Sequence, residues 1–369
     1  MDPFIEITKP TLLLNSERAR RNIQWMAARA REQGIHFRPH FKTHQSTVIG
    51  EWFRTEGVHE ITVSSVDMAG YFADNGWRDI TLAFPVNLRQ MDEIQALAER
   101  VDLGLLVESR EVVAQLGRNL SSPVKLWLKV DTGLHRAGLP WDQVESFTSI
   151  IEEANRYKKL KVFGLLTHAG NTYHAQSTQE IIQIYHQTEY RMNKLRNWLA
   201  DKGWGEMQVS IGDTPGCSLV DQFGSVDEIR PGNFVFYDAQ QYSIGACHQE
   251  QIATAVACPV VAIHPERNEI VIYGGAIHFS KDWVEGMDSN YFGMVAWMDE
   301  KQGWSEPIPG ARVTGLSQEH GIIQLPGDAI ERIQPGDLIC VIPPHICLVV
   351  QAMGRYRTLD GEWIDIMPS

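Results

Sequence analysis

The sequence predicts an α/β protein that begins with a (β/α)8 barrel and ends with a mostly antiparallel β domain. Between about residue 16 and residue 240, eight strand-like segments alternate with helical patterns. This alternation is typical of a parallel sheet, and eight repeats indicate a closed barrel. After about residue 245, strand-like segments follow one another without helices between them, punctuated by Pro and Gly. The 369 residues are enough for a barrel and a second domain.

The barrel elements are predicted from hydrophobic periodicity and from helix start and stop signals. A helix is expected to begin after Asn15 and to end before Gly34. The strand-like segments are residues 35–44, 60–65, 79–84, 101–107, 124–131, 160–168, 207–212 and 227–237, and helical patterns include 88–100, 141–156 and 178–202. An open doubly wound sheet is the competing architecture, but no Gly-rich dinucleotide-binding turn follows the first strand.

The second domain is predicted from four strand-like segments. They are residues 252–263, 269–273, 337–342 and 346–353. We expect residues 10–15 to join this sheet before the chain enters the barrel. The predicted domains are therefore 16–245 for the barrel, and 1–15 with 246–369 for the β domain.

Composition and charge exclude several classes of protein. The net charge of −13 argues against a nucleic-acid-binding surface, which needs a basic footprint. No apolar run is long enough to span a bilayer, and the N-terminus lacks the pattern of a secretory signal, so we expect a cytoplasmic protein that does not bind membranes. The five cysteines include no CxxC pair, which argues against a disulfide framework or an all-cysteine zinc site.

One predicted barrel strand, residues 35–44, has an unusual polar face. Because strand faces alternate, His36, Arg38, His40, Lys42 and His44 share one face, and the apolar residues between them share the other. Barrel interiors are usually filled with branched aliphatic residues, and barrel active sites lie at the carboxyl ends of the strands. An inward lysine near such an end indicates a functional lumen; the alternative is a solvated edge strand.

The strand 124–131 repeats this pattern. Lys125, Trp127, Lys129 and Asp131 share one face, opposite an aliphatic face. Two strands with charged faces make a functional lumen more plausible than either strand alone.

Several motifs, in order along nearly the whole chain, resemble those of the D-threonine aldolase and D-serine dehydratase family. These are fold-type III pyridoxal-phosphate (PLP) enzymes with a TIM-type barrel like that of alanine racemase. The matching motifs are Arg38-Pro39-His40-Phe41-Lys42-Thr43-His44, Val130-Asp131-Thr132-Gly133 with Arg136-Ala137-Gly138, Thr167-His168-Ala169-Gly170 with Tyr173, Gly212-Asp213-Thr214-Pro215, residues 230–238, Glu319-His320-Gly321 and Pro344-His345-Ile346-Cys347. Each motif is weak alone; their number and order are specific.

The resemblance implies PLP held by Lys42 as a Schiff base, a homodimer, and an active site at the barrel mouth. It makes Lys42, His40 and Arg136 the candidate catalytic residues. Arg136 would approach the ring oxygen of the cofactor, and Tyr173 would bond its pyridine nitrogen. The candidate cofactor-binding residues are Lys42, Arg136, His168, Tyr173, Thr214, Gly232, Asn233 and Tyr237. The alternatives remain open: a lysine in a structural ion pair, a surface arginine and a tyrosine satisfied within the core.

The resemblance also implies a divalent metal beside the cofactor, and His345 and Cys347 are its candidate ligands. Two residues apart on a predicted strand, they would point to one face, and an imidazole with a thiolate suits zinc, with manganese, magnesium or cobalt as alternatives. Cys347 as a small buried hydrophobic residue is the competing interpretation. His320 is a weaker candidate for the same site.

The sequence departs from the family pattern at a few positions. Asn171 stands where many relatives have histidine, Asp213 where serine is common, and Gly216-Cys217 where a threonine often occurs. These departures put the substrate side and one phosphate contact in doubt.

The resemblance implies a small D-amino acid as substrate and leaves two reactions open. In β-elimination a keto acid and ammonia form; in retro-aldol cleavage glycine and an aldehyde form. The His-x-Cys pair resembles the dehydratase branch, and His-x-Asp the aldolase branch. We therefore hypothesise a D-serine-dehydratase-like lyase acting on D-serine, D-threonine or D-3-hydroxyaspartate. A D-threonine-aldolase-type enzyme is the alternative, and an amino-acid racemase or a non-catalytic PLP-binding protein are further ones.

Overall fold

The computed structural model describes residues 4, 6–286 and 289–368. The chain forms two compact units. The barrel unit comprises Gln24–Lys42 and Gly50–Gly232, and the β unit comprises Met1–Ile23, Thr43–Ile49 and Asn233–Ser369. Of the predicted β domain, residues 1–3, 5, 287, 288 and 369 lie outside the described residues. The predicted domain bounds at residues 15 and 245 stay predictions.

The strands are numbered in chain order. They are β1 (Thr11–Leu14), β2 (His36–Phe37), β3 (Glu60–Val63), β4 (Asp79–Pro85), β5 (Asp102–Val107), β6 (Val124–Asp131), β7 (Leu139–Pro140), β8 (Leu160–Thr167), β9 (Gln208–Ile211), β10 (Glu228–Ile229), β11 (Thr254–His264), β12 (Glu269–Tyr273), β13 (Met294–Asp299), β14 (Gly303–Leu316), β15 (His320–Gln324), β16 (Leu338–Ile342), β17 (Arg355–Thr358) and β18 (Trp363–Asp365). Several strands match the predicted segments within a residue or two, including β5, β6 and β12.

The α-helices are numbered in the same way. They are α1 (Ser16–Glu32), α2 (Thr47–Thr55), α3 (Val66–Asp74), α4 (Met91–Ala98), α5 (Arg110–Asn119), α6 (Val144–Ala154), α7 (Thr178–Asp201), α8 (Thr214–Leu219), α9 (Ala239–Ser243), α10 (Ala276–Phe279), α11 (Gly327–Ile330) and α12 (Ile346–Met353). None of the helices in the described part of the chain combines the length and the apolar character that crossing a bilayer requires.

The sheet of the barrel unit confirms the predicted fold class. Within the described residues, its parallel strands follow the order β2-β10-β9-β8-β6-β5-β4-β3. The two ends of this order meet where His40 pairs with Thr62. At that point the backbone N–H of Phe41 donates to the carbonyl of Thr62 at 2.9 Å, and the N–H of Thr62 donates to Pro39 at 2.9 Å. The sheet therefore closes on itself.

The predicted strand 35–44 is wrong in its extent. Regular pairing is confined to His36–Phe37, and residues 41–44 form a turn. Pro39 has no N–H to donate to a ladder. Phe41 leaves the sheet because its ring packs with the rings of Phe53, Phe72 and Trp77, each 5.0 Å away between centroids. The polar face therefore does not run unbroken to residue 44.

The amino ends of the barrel strands carry a buried charge network. The Arg38 side chain is 4% exposed and pairs with three carboxylates. They belong to Glu60, Asp79 and Glu228, each the first residue of its strand. Burial alone would lower the pKa of Arg38, but these three charges raise it above its ordinary value. This end of the barrel is thus closed by ion pairs.

The sheet of the β unit is mostly antiparallel, as predicted. Within the described residues its order is β12-β15-β14-β13-β16-β11-β1-β17-β18. Strand β1 pairs antiparallel with β11, where Leu13 faces Ala255, and parallel with β17, where Leu13 faces Arg357. The first strand of the chain therefore lies inside this sheet, as expected for residues 10–15.

The predicted strand 346–353 is wrong, because these residues form helix α12. Ile346, Val349 and Val350 are buried whereas Leu348 is 50% exposed, which is a helical pattern of burial. A short apolar run fits a buried strand and a buried helix equally well, so its periodicity could not decide between them. The sequence analysis also did not identify β13, β14, β15, β17 and β18.

We predict that Arg38→Met destabilises the barrel by about 3–5 kcal/mol, because it leaves three carboxylates without their cation at a buried site. Urea unfolding of the variant measures this loss. Arg100→Met is the matched control, since it removes an exposed ion pair with Asp74; such a pair contributes about 1 kcal/mol or less. Equal unfolding midpoints for the two variants would contradict the prediction.

Candidate active site

Cationic and imidazole side chains gather in the barrel unit around Lys42. The pKa of His168 is held well below its ordinary value by burial and by the nearby charges of Lys42, Arg136 and Lys129. His168 is therefore neutral near pH 7. Its Nδ1 bonds the carbonyl of Gly212, so Nδ1 carries the proton and Nε2 keeps a free lone pair. The predicted residues Lys42, Arg136 and His168 are thus brought into one electrostatic cluster.

Lys42 and His40 lie in the turn that follows β2. The backbone N–H of Lys42 donates to Nδ1 of His40 at 3.3 Å. The backbone N–H of His40 donates to the carbonyl of Pro231 at 3.0 Å, which anchors the turn to the segment after β10. Lys42 is half-buried. His40 therefore shapes the turn that presents Lys42.

Two further cations, missed by the sequence analysis as site residues, are buried in the same cluster. Burial and the charges of Arg230 and Arg136 lower the pKa of Lys129 to about 7. Burial lowers the pKa of Arg230 to about 10 even though Glu228 opposes the shift. Nε of Arg230 donates to the Ser210 hydroxyl at 2.6 Å. The buried cationic groups of Lys129 and Arg230 therefore favour an anionic ligand, such as a phosphate ester, in this part of the barrel unit.

Arg136 is exposed on a loop that leaves β6 and returns to it. The Asp131 carboxylate accepts the backbone N–H of Gly133 at 2.9 Å and that of His135 at 3.1 Å. Strand β7 then pairs with the end of β6. A Cβ at Gly138 would lie 2.8 Å from the Asp131 backbone nitrogen, so the return path requires glycine at this position. The loop is therefore tightly held at its base.

Tyr173 and Thr214 meet at the start of α8. The backbone N–H of Thr214 points to the Tyr173 hydroxyl at 3.5 Å, and the Tyr173 ring lies 6.2 Å from that of His168. Asp213 caps α8 by accepting the N–H of Gly216 at 2.6 Å. Burial raises the pKa of Asp213 to about 6. Asp213, at a position where the family pattern often has serine, therefore caps helix α8 with its carboxylate.

Helix α8 is also fixed at its other end. Arg29 donates to the carbonyls of Cys217 at 2.8 Å and Ser218 at 3.0 Å, which are among the last carbonyls of the helix. Cys217 is fully buried, and burial raises the pKa of its thiol. Cys217 therefore behaves as a small apolar residue on the buried side of α8.

The predicted residues Gly232, Asn233 and Tyr237 lie where the barrel unit ends and the β unit begins. The Asn233 amide donates to the Asp238 carboxylate at 2.5 Å. Tyr237 is fully buried with a φ of 49°, a left-handed conformation that is uncommon for residues other than glycine. Asn233 thus directs its side-chain amide to Asp238, and its predicted role in binding the cofactor stays a prediction.

His345 and Cys347 lie together at the start of α12. His345 is the N-cap residue of this helix and Cys347 is its second residue, so the predicted strand geometry is wrong. Their side chains still meet: burial lowers the pKa of His345, but the charge and hydrogen bond of Cys347, with Asp238, raise it well above its ordinary value. The Thr43 hydroxyl lies 3.3 Å from the Cys347 sulfur. A thiolate is favoured at a helix N-terminus.

The donors at His345 and Cys347 fit a divalent metal ion. An imidazole nitrogen and a thiolate are ligands that zinc prefers. Among the described residues, no group of three His, Cys, Asp or Glu forms a complete metal-binding cluster. Two protein ligands by themselves leave coordination positions for water or substrate. His320 lies exposed in β15 opposite Tyr273.

We predict that wild-type protein without cofactor gains stability relative to Lys129→Met as the pH rises from about 7 to about 9. In this window Lys129 is protonated in the unfolded chain but mostly neutral in the folded chain, because the pKa of Lys129 in the folded chain is about 7. The difference should grow by up to about 1.4 kcal/mol per pH unit.

Urea unfolding of both proteins across this pH range tests the prediction. Lys125→Met is the matched control on the same strand. At Lys125, burial is outweighed by Asp102 and Asp79, so its pKa is raised and no gain should appear in this window. A pH-independent difference between wild type and Lys129→Met would contradict the prediction.

Two curated relatives match nearly the whole chain. The chain is 27% identical to D-threo-3-hydroxyaspartate dehydratase of Delftia sp. (strain HT23), over 98% of this chain and 96% of that protein. It is 28% identical to D-serine dehydratase of Dictyostelium discoideum, over 98% and 95% of the two chains. D-threonine aldolase of Arthrobacter sp is 19% identical, over 94% and 87%.

Solved structures show the same fold. The Delftia dehydratase superposes with a TM-score of 0.91 at 25% identity and full coverage of both chains. A cysteine-to-alanine mutant of D-threo-3-hydroxyaspartate dehydratase, described as the metal-free form, gives 0.90 at 24% identity, covering both chains fully. D-threonine aldolase from Filomicrobium marinum gives 0.84 at 20% identity, covering 97% of this chain and 94% of that one.

Two family models match successive parts of the chain. Residues 14–240 match "Alanine racemase, N-terminal domain", and residues 253–359 match "Putative serine dehydratase domain". The first match covers the barrel with the Lys42 motif, and the second includes His345 and Cys347. The chain therefore belongs to the alanine racemase N-terminal domain family, with the dehydratase-type β domain following the barrel.

Proposed function

We propose that the protein is a PLP- and divalent-metal-dependent lyase that acts on D-β-hydroxy-α-amino acids. Its reaction is a D-serine-dehydratase-like β-elimination that gives a keto acid and ammonia. The observation that carries the proposal is the Cys347 thiol beside the His345 imidazole, in a chain whose barrel presents Lys42 among buried cations. Its full-length similarity to two dehydratases supports this proposal.

The residues that would hold the cofactor fit its chemistry. They are Lys42, Arg136, His168, Tyr173, Thr214, Gly232, Asn233 and Tyr237. When bound, PLP supplies an electron sink next to Cα of the substrate. The buried charges of Lys129 and Arg230 favour an anion in this part of the barrel unit.

Among these cofactor-binding residues, Lys42 supplies the reactive amine. It would act first as a nucleophile towards a carbonyl carbon and then as the base that takes the Cα proton. His168 is neutral with its proton on Nδ1, so Nε2 can accept a hydrogen bond without adding charge. Tyr173 offers a neutral hydroxyl to the pyridine nitrogen. A neutral partner there leaves the ring a weaker electron sink than a carboxylate would.

His345 and Cys347 would hold the metal ion, with zinc the ion that best suits a thiolate and manganese, magnesium or cobalt the alternatives. Bound there, a divalent ion acts as a Lewis acid on the β-hydroxyl of the substrate, which makes that oxygen a better leaving group. The metal-free form named for a mutant of D-threo-3-hydroxyaspartate dehydratase supports a metal in this type of enzyme. The Thr43 hydroxyl would donate to the thiolate and so stabilise its charge.

Retro-aldol cleavage by the same site is the second candidate function. The similarity to D-threonine aldolase of Arthrobacter sp, over 94% of this chain, favours it. The thiolate ligand and the dehydratase names of two relatives weigh against it. A racemase or a non-catalytic PLP-binding protein accounts less well for a β domain that carries His345 and Cys347.

We also propose that the protein is a cytoplasmic homodimer with a barrel at 16–245 and a β domain at 1–15 and 246–369. The family resemblance supports the dimer. Static light scattering measures its mass directly against the 41.8 kDa of one chain.

We predict that the protein, supplied with PLP and zinc or manganese, converts D-threonine to 2-oxobutanoate and ammonia. Proton NMR of the reaction mixture identifies the products. Lys42→Ala is the control, because it removes the amine and should abolish both the reaction and the visible absorbance of the imine. Glycine and acetaldehyde would show the aldolase reaction instead, and the L-enantiomer at Cα would show a racemase. If D-threonine stays intact, D-serine and D-3-hydroxyaspartate are tested in the same way.

We predict that a chelator abolishes the lyase activity and that Cys347→Ala lowers it by about 100-fold or more, since even indirect partners of a metal ligand change activity by about 10–100-fold. Steady-state rates with and without added zinc measure both effects. Cys258→Ala is the matched control, because it removes another buried thiol of the β unit. Full activity in the chelator would exclude the metal role.

A further inference from the structure

Asp238 is a buried carboxylate beside the candidate metal ligand His345. It is 0% exposed, and its Oδ2 lies 3.5 Å from Nδ1 of the His345 ring. Oδ2 also accepts the backbone N–H of Ile346 at 3.2 Å and the Asn233 amide at 2.5 Å. Oδ1 accepts the backbone N–H of Gln241 at 2.9 Å. Every one of these neighbours is in the β unit.

These bonds make Asp238 a poor metal ligand and a good support for one. Oδ2, the oxygen next to His345, already accepts two bonds from protein donors, so binding an ion through Oδ2 would cost a buried bond. A carboxylate near Nδ1 of a histidine keeps the proton on that nitrogen. The lone pair of His345 is then on Nε2, the other nitrogen of the ring.

Asp238 also joins two helix starts. It is the N-cap residue of α9, and it caps α12 through the N–H of Ile346, the first residue of that helix. Next to it, the N–H of Ala239 donates to the carbonyl of Pro343 at 3.0 Å, and that of Gln240 to Pro344 at 3.2 Å. The segment before His345 is therefore held along its length by the segment that begins at Asp238.

We propose that Asp238 is a positioning residue for the metal site: it holds the His345 ring by Nδ1 so that Nε2 is the atom offered to the ion. This inference rests on the proposed function, since it requires that His345 binds a metal. The carboxylate acts through the histidine and does not touch the ion. Its loss should weaken metal binding by about 10–100-fold, the usual effect of such a partner.

The first experiment measures the zinc affinity of wild type and Asp238→Asn by competition with a coloured chelator. We expect about 10–100-fold weaker binding in the variant. Glu153→Gln is the matched control, a buried carboxylate of the barrel unit paired with Arg110 and Arg156. In a His345→Ala background, Asp238→Asn should cause no further loss; an equal loss in both backgrounds would show that Asp238 does not act through His345.

The second experiment needs no change at Asp238 and so does not depend on the folding of a variant. NMR of wild-type protein labelled with ¹⁵N-histidine and loaded with zinc reports which ring nitrogen carries the proton. The His345 signal is assigned by its loss in His345→Gln. We expect the proton on Nδ1; a proton on Nε2 would overturn the proposal.

The proposed metal-dependent function and the positioning role of Asp238 are contradicted by different results. If wild-type protein takes up no zinc, manganese or cobalt, the proposed metal function is wrong and the inference falls with it. If wild type binds zinc and Asp238→Asn binds it equally well while remaining folded, the inference alone is wrong.

Discussion

The concentration of positive charge in the barrel is the constraint on which the rest of the site depends. Burial lowers the pKa values of Lys129, His168 and Arg230, and neighbouring cations lower the first two further: Arg230 and Arg136 at Lys129, and Lys42, Arg136 and Lys129 at His168. Like charges in a poorly solvated place repel, so this arrangement costs folding energy unless an anion joins it. A cofactor with a phosphate group would remove that cost, and its binding energy would then include the relief of repulsion within the protein.

Buried charge is compensated differently at Arg38 and at Lys129. At the amino end, Arg38 meets three carboxylates within the protein, and the pairing is complete without a ligand. At Lys129, burial and the cations Arg230 and Arg136 outweigh the carboxylates of Asp131 and Glu108, so an anionic ligand would improve the charge balance there. A sequence that places Glu60, Asp79 and Glu228 at strand starts, and cations further along, thus separates a stabilising layer from a reactive one.

The sequence predicted the fold and the identity of the main site residues better than their geometry. Strand and helix rhythm sufficed for the barrel because β6, β12 and α7 have clear periods. Cys347 was predicted to lie on a strand but lies in helix α12, because residues 346–353 are apolar enough to form either. Lys129 and Asp238 were missed as site residues because their roles come from partners such as Arg230 and His345, far away in the sequence.

Strand β1 has a consequence for how the protein is made. Leu13 pairs with Ala255 on one side and with Arg357 on the other, so its partners leave the ribosome long after it does. Chains are synthesised at about 5–20 residues per second, and the strand must wait many seconds for its neighbours. During that wait its apolar residues have no sheet to join, so Thr11–Leu14 cannot be buried until most of the chain has been made.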